Sequence, residues 1–186
     1  MMMARVFVVS VWIALIGPCA SAEGPPLVRF SDVTIHNDMD CFRVATPSAT
    51  YLLGKKGAGL ASLIDKTGHD WISYRPGGKA RGEYRGLPKC GQPTKFFHCG
   101  YGYGQYKTEN VFISKITDQS PDHVRIESET RDGKTAGCWD FYPDRATFTL
   151  LRIDLPTYWF LYEGTPGGKL DPKGDFALRP AGTRSD

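Results

Sequence analysis

The sequence predicts an all-β protein built as an antiparallel β-sandwich. Three observations carry that expectation. Short runs rich in Val, Ile, Thr, Tyr, Phe and Trp recur at spacings of 8 to 15 residues. Gly, Pro, Asp and Asn stand between them as turn formers. After residue 22 no useful stretch carries the 3.6-residue period of an amphipathic helix.

Taken in order, the runs begin with Val28-Arg29-Phe30 and Val33-Thr34-Ile35, which alternate as strands do. Cys41 to Ala45 follows and is ended by Pro47; Ala49 to Leu53 leads into the turn Gly54-Lys55-Lys56-Gly57. Leu60 to Ile64 enters Asp65-Lys66-Thr67-Gly68, with Trp71 to Tyr74 returning as a strand. Residues 75 to 95 break the rhythm, with five glycines, three prolines and no apolar periodicity. Thr94 to Cys99 resumes a strand, and Gly100 to Gly104 is a glycine–tyrosine loop. Asn110 to Ile116, His123 to Thr130, Cys138 to Tyr142, Thr147 to Ile153 and Tyr158 to Tyr162 complete the set. Between the second and third of these, Arg131-Asp132-Gly133-Lys134 is the clearest hairpin signal, because Asp-Gly supplies the positive φ of a tight turn.

The first 22 residues read as a cleavable signal peptide. Arg5 gives a short basic start, Val6 to Ile16 is apolar except for Ser10, and Ala20-Ser21-Ala22 fits the cleavage pattern. The apolar run is shorter than the ~20 residues that a membrane-spanning helix needs. The expected protein is therefore secreted or periplasmic and free of the membrane after cleavage. Residues 23–163 are expected to form the sandwich. Residues 164–186 are a Gly- and Pro-rich tail that stops without a closing strand, as if the chain were the front of a larger supersandwich.

Without Arg5, the one charged residue among the first 22, the chain has 22 Lys and Arg against 20 Asp and Glu. That balance is too mild to point to nucleic acid. Four cysteines follow the signal: Cys41, Cys90, Cys99 and Cys138. In an exported chain an even number predicts two disulfides out of three connectivities. Cys90–Cys99 with Cys41–Cys138 is the favoured pairing; free buried thiols are the alternative. Zinc bound by Cys90, His98, Cys99 and Cys138 is disfavoured, because no C-x-x-C pair is present.

The segment from Arg75 to Lys95 concentrates positive charge: Arg75, Lys79, Arg81, Arg85, Lys89 and Lys95 stand against Glu83 alone. Tyr84, His98, Tyr101, Tyr103 and Tyr106 lie in or beside it. Cations that neutralise carboxylate or sulfate, next to rings that stack on sugars, suit an anionic polysaccharide or another glycan. The bland alternative is solvated loop charge with tyrosines packed at a sheet rim. If the segment is catalytic, the residue types fit β-elimination on a uronate polymer. Arg85 or Lys95 would hold the carboxylate, His98 would take the C5 proton, and Tyr101 or Tyr103 would protonate the leaving oxygen. No metal or cofactor is required. Tyr84, Glu83 and Glu163 are further substrate contacts, although nothing pairs Glu83, Asp140 and Glu163 as a hydrolase would. His36 to Asp40 offers oxygen ligands but lacks the EF-hand spacing. Gly54 to Gly57 lacks the pattern of a phosphate loop. Trp71, Trp139 and Trp159 read as core, and His69 and His123 as exposed turn flanks.

Several stretches together resemble a known group. They are Phe42 to Tyr51, Asp70 to Tyr74, Gly82 to Gly86 and Tyr158 to Gly168. They are similar to secreted bacterial β-sandwich proteins of poorly described function, which in turn look like galactose mutarotase-like and polysaccharide lyase-like sandwiches. The resemblance covers residues 40 to 168 and implies fold and export. It transfers no catalytic residue. The function expected is thus a secreted carbohydrate-interacting protein, as the front of a polysaccharide lyase-like enzyme or, alternatively, a non-catalytic binding or structural module.

Overall fold

The computed structural model describes residues 26–74, 87–92, 95–98, 111–154, 158–161, 177–178 and 184–185. Among them every strand pairs antiparallel and no helix occurs. The strands are β1 (Arg29–His36), β2 (Met39–Ala45), β3 (Ala49–Gly54), β4 (Leu60–Asp65), β5 (Lys89–Gln92), β6 (Lys95–Phe97) and β7 (Phe112–Ser120). They continue as β8 (His123–Thr130), β9 (Thr135–Phe141), β10 (Ala146–Ile153), β11 (Trp159–Leu161), β12 (Ala177–Leu178) and β13 (Arg184–Ser185). β1-β2-β3-β4 form one sheet and β10-β9-β8-β7 a second. A smaller sheet has the order β11-β5-β6, and β12 pairs with β13.

The two large sheets face each other across one core, which makes the fold a β-sandwich. Val44, Tyr51 and Leu53 from the first sheet share a buried cluster with Val124, Ile126, Trp139 and Phe141 from the second. A row of rings runs through it. Tyr51 meets Phe141 at 5.1 Å, Phe141 meets Trp139 at 5.9 Å, and Trp139 meets Phe148 at 5.2 Å. Phe148 then meets Phe97 at 5.1 Å, and Phe97 meets Phe112 at 4.4 Å. Tilted, edge-on and stacked ring pairs of this kind add about 0.5–1.5 kcal/mol each beyond the area they bury.

The strands differ in how they alternate. β8 buries every second residue, the pattern of a strand with one face toward water, whereas its neighbour β9 is buried at every position. β3 is buried at four successive positions from Tyr51 to Gly54, so both its faces are covered. The segment after β4 runs along the β4 edge. Trp71 N–H donates to the Leu63 carbonyl at 2.8 Å and Tyr74 N–H to the Ala61 carbonyl at 2.9 Å. Sequence reading expects a strand from Trp71 to Tyr74. The segment instead touches β4 through an isolated bridge at Ile64–Asp70, and Ser73 adopts φ 51°, which takes it off a strand path.

Local chemistry accounts for the remaining turns. Asn37 and Asp38 both have positive φ, 49° and 64°, as a tight hairpin between β1 and β2 requires. The residues considered as calcium ligands therefore form a turn, whose Asn37 side chain donates to the Tyr74 carbonyl at 2.7 Å. Gly133 at φ 68° closes the hairpin that Asp132-Gly133 announces. The two runs read before Ile35 are one strand, with its register shift between Ser31 and Thr34. β5 lies inside the segment read as irregular. Lys89-Cys90-Gly91-Gln92 has no alternation, and only its neighbours β6 and β11 make it a strand.

The expected Cys41–Cys138 disulfide is absent, and both are free, buried thiols. Register supplies the reason. Val44 pairs with Tyr51, so Phe42 and Val44 share the face that Tyr51 turns toward Phe141. Cys41 lies on the opposite face of β2, and Cys138 on the face of β9 opposite Trp139 and Phe141. The thiols thus sit on the outer sides of sheets stacked about 10 Å apart, beyond the ~7 Å Cα separation a disulfide spans. Burial, with the Asp40 charge adding to it, pushes the Cys41 thiol up to about 12. The other expected pair, Cys90–Cys99, lies outside the described side chains.

Two outcomes follow. Titration of the denatured, unreduced protein with a thiol reagent is expected to find at least two free cysteines; fewer would contradict the register argument. Gly137 lies under the ring row, where an added Cβ would stand 2.9 Å from Phe97 Cζ and 3.0 Å from Phe148. Gly137→Ala should therefore destabilise by about 1–3 kcal/mol in denaturant melts, the usual cost of overpacking.

Candidate functional site

Of the residues expected to carry chemistry, Glu83, Tyr84, Arg85, Tyr101, Tyr103 and Glu163 lie outside the described residues. Lys95 opens β6, and its side chain is also outside the description. His98 is described. It follows β6, is 3% exposed, and meets the edge of the Tyr74 ring at 5.5 Å. Its N–H donates to the Gly57 carbonyl at 2.8 Å. Its side chain is buried.

The described surface carries a different candidate, the turn from Asp65 to Trp71. Trp71 reads as core in the sequence, yet it is 44% exposed. Its ring is fixed nonetheless. The indole Nε1–H donates to Asp65 Oδ2 at 2.8 Å, and His69 stands edge-on to the ring at 5.0 Å. The other oxygen of Asp65 accepts from Thr67 N–H at 2.8 Å, Thr67 Oγ1 at 2.6 Å and His69 N–H at 3.1 Å. Hydrogen bonds from Thr67 and Trp71, in that order, hold the Asp65 carboxyl well below the usual carboxylate range.

Asp70 anchors the far side of the turn. Its Oδ1 accepts from the N–H groups of Leu63 at 3.1 Å and of Ile72 and Ser73 at 3.0 Å each, while Oδ2 accepts from Ser62 Oγ. Burial acts to raise the Asp70 carboxyl, but the bonds from Ser62 and the three amides outweigh it and leave it lowered. The backbone on both sides of Trp71 is thereby held to β4. The signal in the sequence was the spacing: a turn aspartate, a Thr-Gly two residues on, and a tryptophan six residues on.

A second polar array covers the outer face of the β7–β10 sheet. His123 bridges Asp118 of β7, Nδ1 to Oδ2 at 3.1 Å, and Asp140 of β9, Nε2 to Oδ1 at 2.8 Å. Arg125 Nη1 donates to both Asp140 oxygens, at 3.3 and 3.1 Å, and its Nε donates to Glu127 at 3.0 Å. Tyr142 stacks on His123 at 4.7 Å, and Arg145 sits 4.3 Å from the centre of the Tyr142 ring. His123 is thus half-buried in a network rather than a free turn flank. Register carries the array, because His123, Arg125 and Glu127 share one face of β8 with Asp140 and Cys138 across the ladder. The Cys138 thiol in this array is raised, by burial foremost. Among the described residues, no group of three or more His, Cys, Asp and Glu is placed to hold a metal ion.

Comparison with protein families, curated proteins and solved structures finds no match. The candidate site therefore rests on its own geometry.

Asp65 and Asp70, both depressed in the fold, contribute stability that is complete above the ordinary aspartate range. It is lost as the pH falls from about 4 downward. Urea melts at pH 7, 4 and 3 should show the midpoint falling across that window, with a shallower fall for Asp70→Asn. An identical pH dependence in that variant would remove Asp70 from the account. Asp70→Ala leaves several donors without an acceptor and should cost more than about 2 kcal/mol at pH 7.

Proposed function

We propose that this protein is an exported, carbohydrate-interacting β-sandwich that stacks sugar rings on Trp71. The observation that carries the reading is an exposed indole held in one orientation by Asp65. Isolated exposed aliphatic residues such as Ile35 and Ile113 are ordinary on a protein surface. A large flat ring that is both solvent-facing and hydrogen-bonded in place is less so. Its face offers apolar area matched to the C–H face of a pyranose, and its fixed rotamer removes an ordering cost from binding. The basic segment begins at Arg75, immediately after this turn in the chain, which favours an anionic glycan. Burial of His98 favours binding over β-elimination through that residue.

Affinity electrophoresis and calorimetry with alginate, glucuronan, ulvan and pectin test the proposal. At least one polymer is expected to bind. Trp71→Ala should weaken that binding at least tenfold, about 1.4 kcal/mol, with an unchanged circular dichroism spectrum. Asp65→Asn should weaken it less, since it loosens the ring without removing it. Wild-type affinity in Trp71→Ala, or no binding to any of the polymers, overturns the reading. Absorbance at the unsaturated-uronate band in the same samples would report turnover.

A further inference from the structure

His123 has a carboxylate oxygen at each ring nitrogen, 3.1 Å away on Asp118 and 2.8 Å away on Asp140. A carboxylate only accepts, and a neutral imidazole carries one N–H. Only the imidazolium can donate to both. The two carboxylates are not equivalent. Asp140 is 6% exposed, lies in a central strand, and also takes Arg125 and the Cys138 thiol, the latter at 3.8 Å. Asp118 is exposed and sits on β7, an edge strand, just past the register shift between Ile116 and Asp118. The other groups around the ring are already engaged. Tyr142 stacks on it under Arg145, Glu127 takes Arg125, and Asp122 of the β7–β8 turn takes Ser120 Oγ at 2.8 Å. Removing a donor from a buried carboxylate costs more than releasing an exposed one.

We infer that His123 is a proton-operated latch on the end of edge strand β7. With both nitrogens protonated, the ring ties Asp118 across β8 to Asp140. On loss of one proton the remaining N–H stays on Nε2, facing the buried Asp140. The Nδ1 lone pair then faces Asp118, whose carboxylate turns to water. The Asp118–Ser120 end of β7 loses its side-chain tie while the β8–β9 ladder is untouched. An imidazole free in water changes charge between about pH 5 and 8, which is the range over which the latch is tested.

Two measurements on the whole protein test this. Long-range nitrogen–proton NMR of the His123 ring should show both nitrogens protonated at the acidic end of that range and Nε2–H alone at the basic end. Amide hydrogen exchange at the Asp118–Ser120 end of β7, divided by the intrinsic rate at each pH, should quicken about two- to fivefold from low to high pH, the size of an exposed ion pair. In Asp118→Ala the corrected rate should be flat with pH and equal to the wild-type value at high pH. A neutral ring protonated on Nδ1, or the same pH profile in wild type and Asp118→Ala, refutes the latch.

Discussion

Four successive carbonyls in the loop between β3 and β4 join the halves of this sandwich. Lys55 accepts from Ser114 Oγ at 2.7 Å and Lys56 from Phe112 N–H at 2.9 Å, both on β7. Gly57 accepts from His98 N–H at 2.8 Å, and Ala58 from Trp139 Nε1–H of β9 at 3.2 Å. The loop is buried from Gly57 to Gly59, so the Gly57 and Ala58 carbonyls must find donors or cost free energy. Donors on three other elements supply all four carbonyls, which places those elements relative to the first sheet. The ring row from Tyr51 to Phe112 and the buried position of His98 both depend on that placement. Ala58 holds φ 56° to make the turn, a left-handed conformation unusual for a residue with a Cβ. That strain persists because the surrounding bonds leave the loop no alternative.

The strands were largely legible because their causes are local. β8 coincides with the run read from His123 to Thr130, and Asp132-Gly133 with a true hairpin, since alternation and positive-φ chemistry are written in consecutive residues. Gly54-Lys55-Lys56-Gly57 was legible as a turn and as a poor phosphate loop. Its role as the junction between sheets was not, because each of its donors lies more than 40 residues away in sequence. β5 escaped notice for the same reason. Cysteine parity misled for a different one: an even count says nothing about the face of the sheet on which each thiol stands.

The candidate site divides along the same line. Trp71 opens the run Trp71-Ile72-Ser73-Tyr74, whose residue types suit a strand, and a tryptophan within a strand reads as core. Its exposure is set by Ser73, whose positive φ turns the chain, and by Asp65, which captures the indole nitrogen from the side. Neither interaction has a periodic signature. The His123 array is half-legible. Alternation along β8 marks His123, Arg125 and Glu127 as one polar face, but only the cross-strand register brings Asp140 and Asp118 to the same imidazole.

Asp140 shows why that array holds a definite shape on an otherwise solvated face. A carboxylate 6% exposed would be costly alone. Arg125 and His123 reach it from β8, on one side of β9. Removing either donor would leave the charge short of partners, whereas Asp118, in water, loses little when His123 lets go. The asymmetry between a buried and an exposed carboxylate is what gives a proton on His123 a direction in which to act. The same contrast separates Asp70, packed against β4 with four donors, from Asp65 at the tip of the turn. The buried aspartate fixes the backbone, and the exposed one aims the ring. A glycan stacking on Trp71 would therefore meet a surface whose orientation is set before it arrives.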